Sequence, residues 1–363
     1  MIRRKKLLWL ALTLFAALAS PALAVDQASR TQDQTSNEAA RANNQAVAYA
    51  ESGRYEEAID LLKQAITRRP DFAMAYYNLA CIYQTQGRFA LAIESFKQAV
   101  QLNPRFTDAH HHMGVSCNKT EHYADAIECF KRALQLKPNR ADSLNELGFA
   151  YSMLDLAEDA IESCKEAIRL QPDLTDAYNN LGIAYFKSGK RPEAIKALEH
   201  ALRLEPDYPD VYNNLGYVYA DAGRVNEAIA AYHQAIRLRS DYPEALNNLG
   251  MAEASLGHYS SAMHPLQQAI HSRPRMAEAH YNLGYVYSKT GRHKQAIESY
   301  KQAVLLKPDL AEAYNNLAIL HLQRGERALA LEQYSLLKSI NYDMAQKLFA
   351  VIYKDRILNV QKR

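Results

Sequence analysis

The sequence is short of the features that mark most enzymes. It has one tryptophan, Trp9, and four cysteines, and no spacing among Cys81, Cys117, Cys129 and Cys164 is a metal-binding signature. It contains no G-x-S-x-G elbow, no H-E-x-x-H helix, no Walker-type phosphate loop and no dinucleotide fingerprint. These absences exclude the best-marked hydrolase, metalloprotease, nucleotidase and dehydrogenase classes, and no cofactor or catalytic residue is expected. His110-His111-His112 is the densest run of ligand-type side chains. Neighbouring helical residues point about 100° apart, so the three cannot share one ion. Asp108 and His112, at i and i+4, supply two ligands at most, too few for a metal site.

A surplus of one charge is missing too. Met1 to Ala24 reads as a secretory signal, with Arg3, Arg4, Lys5 and Lys6, an apolar run from Leu7 to Leu18, and the small residues Ala22 and Ala24 flanking Leu23. The run is well short of the roughly 20 residues needed to span a bilayer, so cleavage after Ala24 and a periplasmic or secreted protein are expected. Val25, in place of a cysteine, argues against a lipid anchor. Cleavage removes Trp9 and four basic residues, taking 43 Lys and Arg to 39 against 40 Asp and Glu. A nearly neutral chain offers no electrostatic case for nucleic acid or anionic lipid. The polar stretch 25–38 is expected to be a disordered leader, and beyond it no linker or low-complexity run interrupts the chain.

What the chain does have is repetition. Pro70, Pro104, Pro138, Pro172, Pro206, Pro274 and Pro308 fall on a 34-residue ruler, with Ser240 at the internal gap. Nine copies begin at Ala39, Ala73, Thr107, Ala141, Thr175, Pro209, Pro243, Ala277 and Ala311. Each reads as two short amphipathic helices around a turn. Position 8 is always Gly or Ala, position 20 always Ala, and position 27 Ala except at Leu337. Small residues are needed where two helices cross closely. Neither helix can bury its apolar stripe alone, so each copy depends on its neighbours.

This period and pattern resemble the tetratricopeptide repeat, over roughly 39–344. The resemblance implies an all-α, right-handed superhelix of helix pairs, first helices lining a concave groove. A last helix within 345–363, with Ala345, Leu348, Phe349, Ile352 and Tyr353 on one face, is expected to cap the array. Three places break the pattern. The turn glycine becomes Glu121 and Asp155 in repeats 3 and 4, and Pro265 sits inside the second helix of repeat 7, where a kink is expected. Glu253 replaces the tyrosine usual at position 11. The cysteines, all in repeats 2 to 4, read either as small core residues or as disulfide partners in an exported protein.

Position 6 is polar and recurrent: Asn44, Asn78, Asn180, Asn214, Asn248, Asn282 and Asn316, interrupted by His112 and Glu146. Asn is a mediocre helix former, and its amide can pair with the main chain of an extended peptide whatever the side chains. The A-Y-N-N-L-G signature is similar to the superhelical repeats of O-linked N-acetylglucosamine transferase, where an asparagine ladder holds the substrate backbone. These seven asparagines are therefore the candidate peptide-binding residues. The core is not expected to need them, so alanine there should leave stability unchanged or slightly raised. Position 2 is acidic from repeat 3 onward, which favours basic or neutral peptides or simply suits the helix start. The Lys/Arg clamp by which some related repeats hold acidic tails is missing. The expected function is an exported scaffold for protein or peptide partners, with no small-molecule substrate. The competing readings are an accessory subunit of a separately encoded enzyme, such as a glycosyltransferase, or an assembly subunit of a cell-envelope complex.

Overall fold

The computed structural model describes the backbone of residues 20–360 and the side chains of 34–353. Most of the expected signal sequence lies outside that range. The described residues form nineteen helices and no strand. They divide between Pro172 and Asp173 into two compact bodies.

The N-terminal body holds repeats 1 to 4 as the pairs α1 (Ser20–Glu51) and α2 (Tyr55–Arg68), α3 (Ala73–Thr85) and α4 (Phe89–Leu102), α5 (Thr107–Lys119) and α6 (Tyr123–Leu136), and α7 (Ala141–Met153) and α8 (Ala157–Leu170). The C-terminal body holds repeats 5 to 9. Its pairs are α9 (Thr175–Lys187) and α10 (Arg191–Leu204), α11 (Pro209–Asp221) and α12 (Val225–Leu238), α13 (Pro243–Ser255) and α14 (Tyr259–Ser272), α15 (Ala277–Lys289) and α16 (His293–Leu306), and α17 (Ala311–Gln323) and α18 (Arg327–Ile340), followed by α19 (Tyr342–Val360). Helix α1 includes the stretch 25–38, which is helical here where a disordered leader is expected from composition. Contacts hold its end in place: Glu38 pairs with Arg68 at 3.3 Å, and Ser36 accepts from Arg69.

The small residues of the repeat have a measurable purpose. A Cβ built on Gly250 would stand 2.5 Å from Leu266 Cγ and 3.1 Å from Ala262 O. At Gly216 it would stand 2.7 Å from the Tyr232 ring. Position 8 thus packs on the side chain at position 24 and the backbone at position 20, and those side chains (Phe96, Phe130, Leu198, Tyr232, Leu266, Tyr300) are almost wholly buried. In repeat 4 Cys164 fills that place against Gly148. All four cysteines are free thiols; Cys117, Cys129 and Cys164 are buried and Cys81 half-buried.

Each inter-helix turn closes with the amide of position 16 donating to the carbonyl of position 11, as in Arg54 to Tyr49 at 2.8 Å and His122 to Cys117 at 2.9 Å. The turn needs a positive φ at position 15. Seven glycines supply it, and Glu121 and Asp155 adopt the same conformation at φ 62° and 58°. Above the turn the guanidinium of position 16 covers the ring of position 11: Arg54 on Tyr49, Arg88 on Tyr83, Arg224 on Tyr219 and Arg292 on Tyr287. The departures are compensated in pairs. Glu253 faces His258 at 3.0 Å, and His321 faces Glu326 at 2.6 Å.

Helix α14 is continuous through Pro265, which is buried. Its missing N–H leaves the Ser261 carbonyl without the partner that an α-helix provides. At the C-terminal end Ala345, Leu348 and Ile352 of α19 are buried against α17 and α18. The capping face is narrower than its sequence suggests, because Phe349 is 38% exposed.

Candidate functional site

Within each body the first helices of consecutive repeats touch one another, from α1 to α7 and from α9 to α15, whereas consecutive second helices have no comparable contact. Elements that approach most closely lie on the inside of a curved stack. The first helices therefore line the inner face of each body, and position 6 lies on it.

The structure places the asparagines in a ladder that reading position 6 alone does not reveal. Asn214 Nδ2 donates to Asn179 Oδ1 at 2.9 Å, Asn248 to Asn213 at 3.1 Å and Asn282 to Asn247 at 2.8 Å. In the N-terminal body Asn78 donates to Asn43 at 2.8 Å. The acceptor is always position 5 of the preceding repeat, a separation of 35 residues, one more than the period. Asn316 meets tyrosines instead, donating to Tyr281 Oη at 3.3 Å and Tyr300 Oη at 3.2 Å. Asn44 is exposed and accepts from Asn43. Asn180 is half-buried.

The ladder gives Asn78, Asn214, Asn248 and Asn282 partners in the preceding repeat, which bears on the expectation that the core does not need position 6. The acceptors Asn43 and Asn247 are 5% and 8% exposed, so the bonds from Asn78 and Asn282 satisfy carbonyls that water reaches poorly, whereas Asn179 and Asn213 are half-buried. Alanine at a ladder position would remove that bond, a loss that opposes its better helix propensity. The signal was present in the sequence as the doublet N-N (Asn179-Asn180, Asn213-Asn214, Asn247-Asn248), whose first member carries the acceptor.

Where His112 and Glu146 interrupt the column, other polar groups bridge the helices. Asn118 Nδ2 donates to Glu146 Oε2 at 3.0 Å, and Gln84 Nε2 to the His112 carbonyl at 3.1 Å. The three neighbouring histidines diverge. His110 Nε2 meets the Pro104 carbonyl and His111 Nδ1 meets Ser143 Oγ at 2.9 Å. Burial pushes the His111 imidazole down to about 4. Asp108 is held by Arg140 at 2.5 Å. Among the described residues no group of three or more His, Cys, Asp or Glu is placed to hold a metal ion.

The acidic row at position 2 is also engaged. Asp210 pairs with Arg239 at 2.8 Å, Glu244 with Arg273 at 2.7 Å and Glu278 with Lys307 at 3.6 Å. Each pair ties the start of a first helix to the end of its own second helix. Burial alone would raise the Asp210 carboxyl, but hydrogen bonds from Arg239 and Tyr242 outweigh it and hold it below its ordinary value. Two cavities among the described residues bear on the site. One of about 250 Å³ opens beside Asn214 between α9 and α11, and a polar one of about 610 Å³ lies by α14, lined by Asp241, His264 and His271 among others. No helix among the described residues is long and apolar enough to cross a membrane.

Three family models match the chain: a tetratricopeptide repeat model over residues 43–105, the C-terminal domain of cilia and flagella-associated protein 70 over 108–287, and a TPR repeat model over 284–325. No curated protein matches. Among solved structures, a tetratricopeptide repeat protein from Parabacteroides merdae ATCC 43184 is 14% identical, with 69% of this chain and 99% of that one covered at a TM-score of 0.60. A monomeric mutant of IFIT1 with m7Gppp-AAAA is 17% identical over 88% of this chain and 82% of that one, at 0.60. The Cut9–Hcn1 hetero-tetramer of the APC/C is 15% identical over 85% and 88%, at 0.54. At such identities the likeness is one of fold. Period, helix pairing, family models and structural neighbours agree: the chain belongs to the tetratricopeptide-repeat proteins.

Proposed function

We propose that the protein is an exported interaction scaffold that holds extended segments of partner proteins along the inner, first-helix face of its C-terminal body. The observation that supports this most directly is the ladder. An Asn amide has two N–H donors and a carbonyl, and the ladder uses one donor of Asn214, Asn248 and Asn282. The bond fixes the side-chain rotamer, so at the half-buried Asn214 and Asn248 the second donor and the carbonyl are pre-oriented at the face, which lowers the entropy lost on binding. Main-chain amides of an extended peptide match that donor and acceptor pair without regard to sequence. Asn180 and Asn316 continue the row, and Asn44 and Asn78 form a shorter site in the N-terminal body. The tetratricopeptide fold is in general a non-enzymatic scaffold for protein partners, and we read this chain the same way. The expected signal at Met1 to Ala24 supports work in the periplasm or outside the cell, after cleavage behind Ala24.

Photo-crosslinking tests the reading. A benzophenone amino acid is placed at Met251 or Tyr285 on the first-helix face, or at Glu199 or Lys301 on second helices, in the native host. Partner adducts from the first-helix positions, on a mature chain whose mass begins at Val25, are the expected result. Adducts from the second-helix positions alone would transfer the function to the outer face. The polar cavity beside α14 supports that second reading, as an assembly subunit of an envelope complex.

A further inference from the structure

Repeat 3 departs from the pattern twice within its core. Position 11 is tyrosine in six repeats but Cys117 here, and position 23 is Cys129. Neither position holds cysteine in any other repeat, so the two changes occur together. They face each other across the helix pair. Gly114, one turn before Cys117 on α5, packs on Phe130, the residue after Cys129 on α6, and a Cβ there would stand 2.7 Å from the ring. Cys117 and Cys129 lie in one buried cluster, at 3% and 7% exposure. The Cys129 thiol donates to Cys117 Sγ, so the two sulfurs are in direct contact.

Elsewhere the tyrosine at position 11 reaches across repeats. Tyr219 Oη donates to Glu199, and Tyr287 Oη accepts from Gln267. Cys117 is too short for that reach and turns to its own second helix instead. The other two cysteines have different neighbours: Cys81 lies against the Tyr77 hydroxyl, and Cys164 packs on Gly148.

We propose that Cys117 and Cys129 close into a disulfide when the chain folds in an oxidising compartment, pinning α5 to α6 within repeat 3. The proposal rests on the export reading for where the bond forms, not for which cysteines form it. Its chemistry is exchange with an external disulfide, carried by another protein or by a small thiol compound. One thiolate of the pair attacks an external sulfur and displaces the other as a thiol. The second thiolate then attacks the mixed disulfide at the sulfur of its partner cysteine and releases the remaining external thiol. The pair gives up two electrons and two protons, and the external disulfide takes them. Both sulfurs are shielded in the folded chain, so exchange belongs to the stage before α6 packs on α5. The same burial then guards the bond against reductants. The bond also has a local use. The turn it spans carries Glu121 at φ 62° in the place that glycine takes in seven repeats, and closing a loop across that turn removes entropy from the unfolded chain.

Refolding tests the pairing. The mature chain, unfolded and reduced, is refolded in a mixture of oxidised and reduced glutathione, alkylated under denaturing conditions without reductant, and mapped by mass spectrometry after trypsin. Cleavage behind Lys119 puts Cys117 and Cys129 on separate peptides. The expected map joins those two peptides, lighter by two hydrogens than their sum, and shows Cys81 and Cys164 alkylated. Dithiothreitol should lower the urea midpoint of the oxidised protein, and the double variant Cys117→Ala, Cys129→Ala should show no such difference. Four alkylated cysteines after refolding, or a bond between other cysteines, overturn the proposal. The same map on chain from the native host tests export separately. A joined pair on a chain beginning at Val25 supports both readings, and four thiols on that chain overturn the disulfide. Thiols on a chain that retains Met1 to Ala24 remove the export reading, and the refolding map alone then decides the bond.

Discussion

At the scale of single residues, position 6 shows how a polar side chain can be structural and available at once. The bond from Asn248 to Asn213 spans two repeats, so it belongs to the interface that a solenoid depends on. A double-mutant cycle over Asn213→Ala and Asn248→Ala separates this bond from helix propensity. A coupling of about 0.5–1.5 kcal/mol is expected, and zero coupling would show the ladder to be incidental. The two strained turns make a second test. An L-residue in the left-handed region costs roughly 1–2 kcal/mol, less for Asp, whereas glycine gives back roughly 0.5–1 kcal/mol in chain entropy. Glu121→Gly should therefore stabilise the protein by about 0.5–1 kcal/mol, and Asp155→Gly by less, in denaturant titrations of the two variants. Both turns keep the hydrogen bond that closes the glycine turns, at 2.9 and 3.0 Å, so nothing else should change.

At the scale of elements, α14 is the helix whose sequence and structure conflict. Its proline is held inside a continuous helix by burial, and the cost is local. Proline in a helix interior is about 3 kcal/mol worse than alanine, of which the stiffer unfolded chain returns up to about 1 kcal/mol. Native-state hydrogen exchange should show residues 257–272 opening more readily than 291–306, and Pro265→Ala should remove the difference. Equal protection in the unmodified protein would mean that packing around Pro265 has absorbed the strain. The turn of repeat 9 makes a prediction about pH. Hydrogen bonds from Arg324 and then His321 hold the Glu326 carboxyl down to about 2. A depressed carboxylate contributes stability above its unfolded pKa and loses it as pH falls toward the folded value. The Glu326 carboxyl resonance should accordingly titrate near 2, and His321→Tyr should move it upward.

At the scale of the whole molecule, stability is shared between neighbours and damage should stay near its source. Leu348 is 1% exposed and seats α19 on repeat 9. Leu348→Ala should cost about 2–5 kcal/mol locally. Exchange protection should fall across 311–340 and stay unchanged across 209–238. Loss of protection across both stretches would mean that the C-terminal body unfolds as one cooperative unit.

The period, the helix pairs and the close crossings at positions 8 and 20 were legible in the sequence, because each rests on a rule that repeats every 34 residues and so was written nine times, and the capping helix was legible from its own single apolar face. The asparagine column was legible as a row of residues, but its bonding partners were not. Its partner sits at an offset of 35 rather than 34, and only the packing of one first helix on the next brings positions 5 and 6 together. Glu253 was visible as a departure but not as one half of a pair with His258, and the pair of His321 with Glu326 emerged only from the structure, since the turn that joins each pair closes in space. The pocket beside Asn214 was not legible at all. It arises because Phe186, Leu198 and Tyr217, from three helices, leave a volume unfilled, and a void is a property of packed neighbours that no single stretch of sequence specifies.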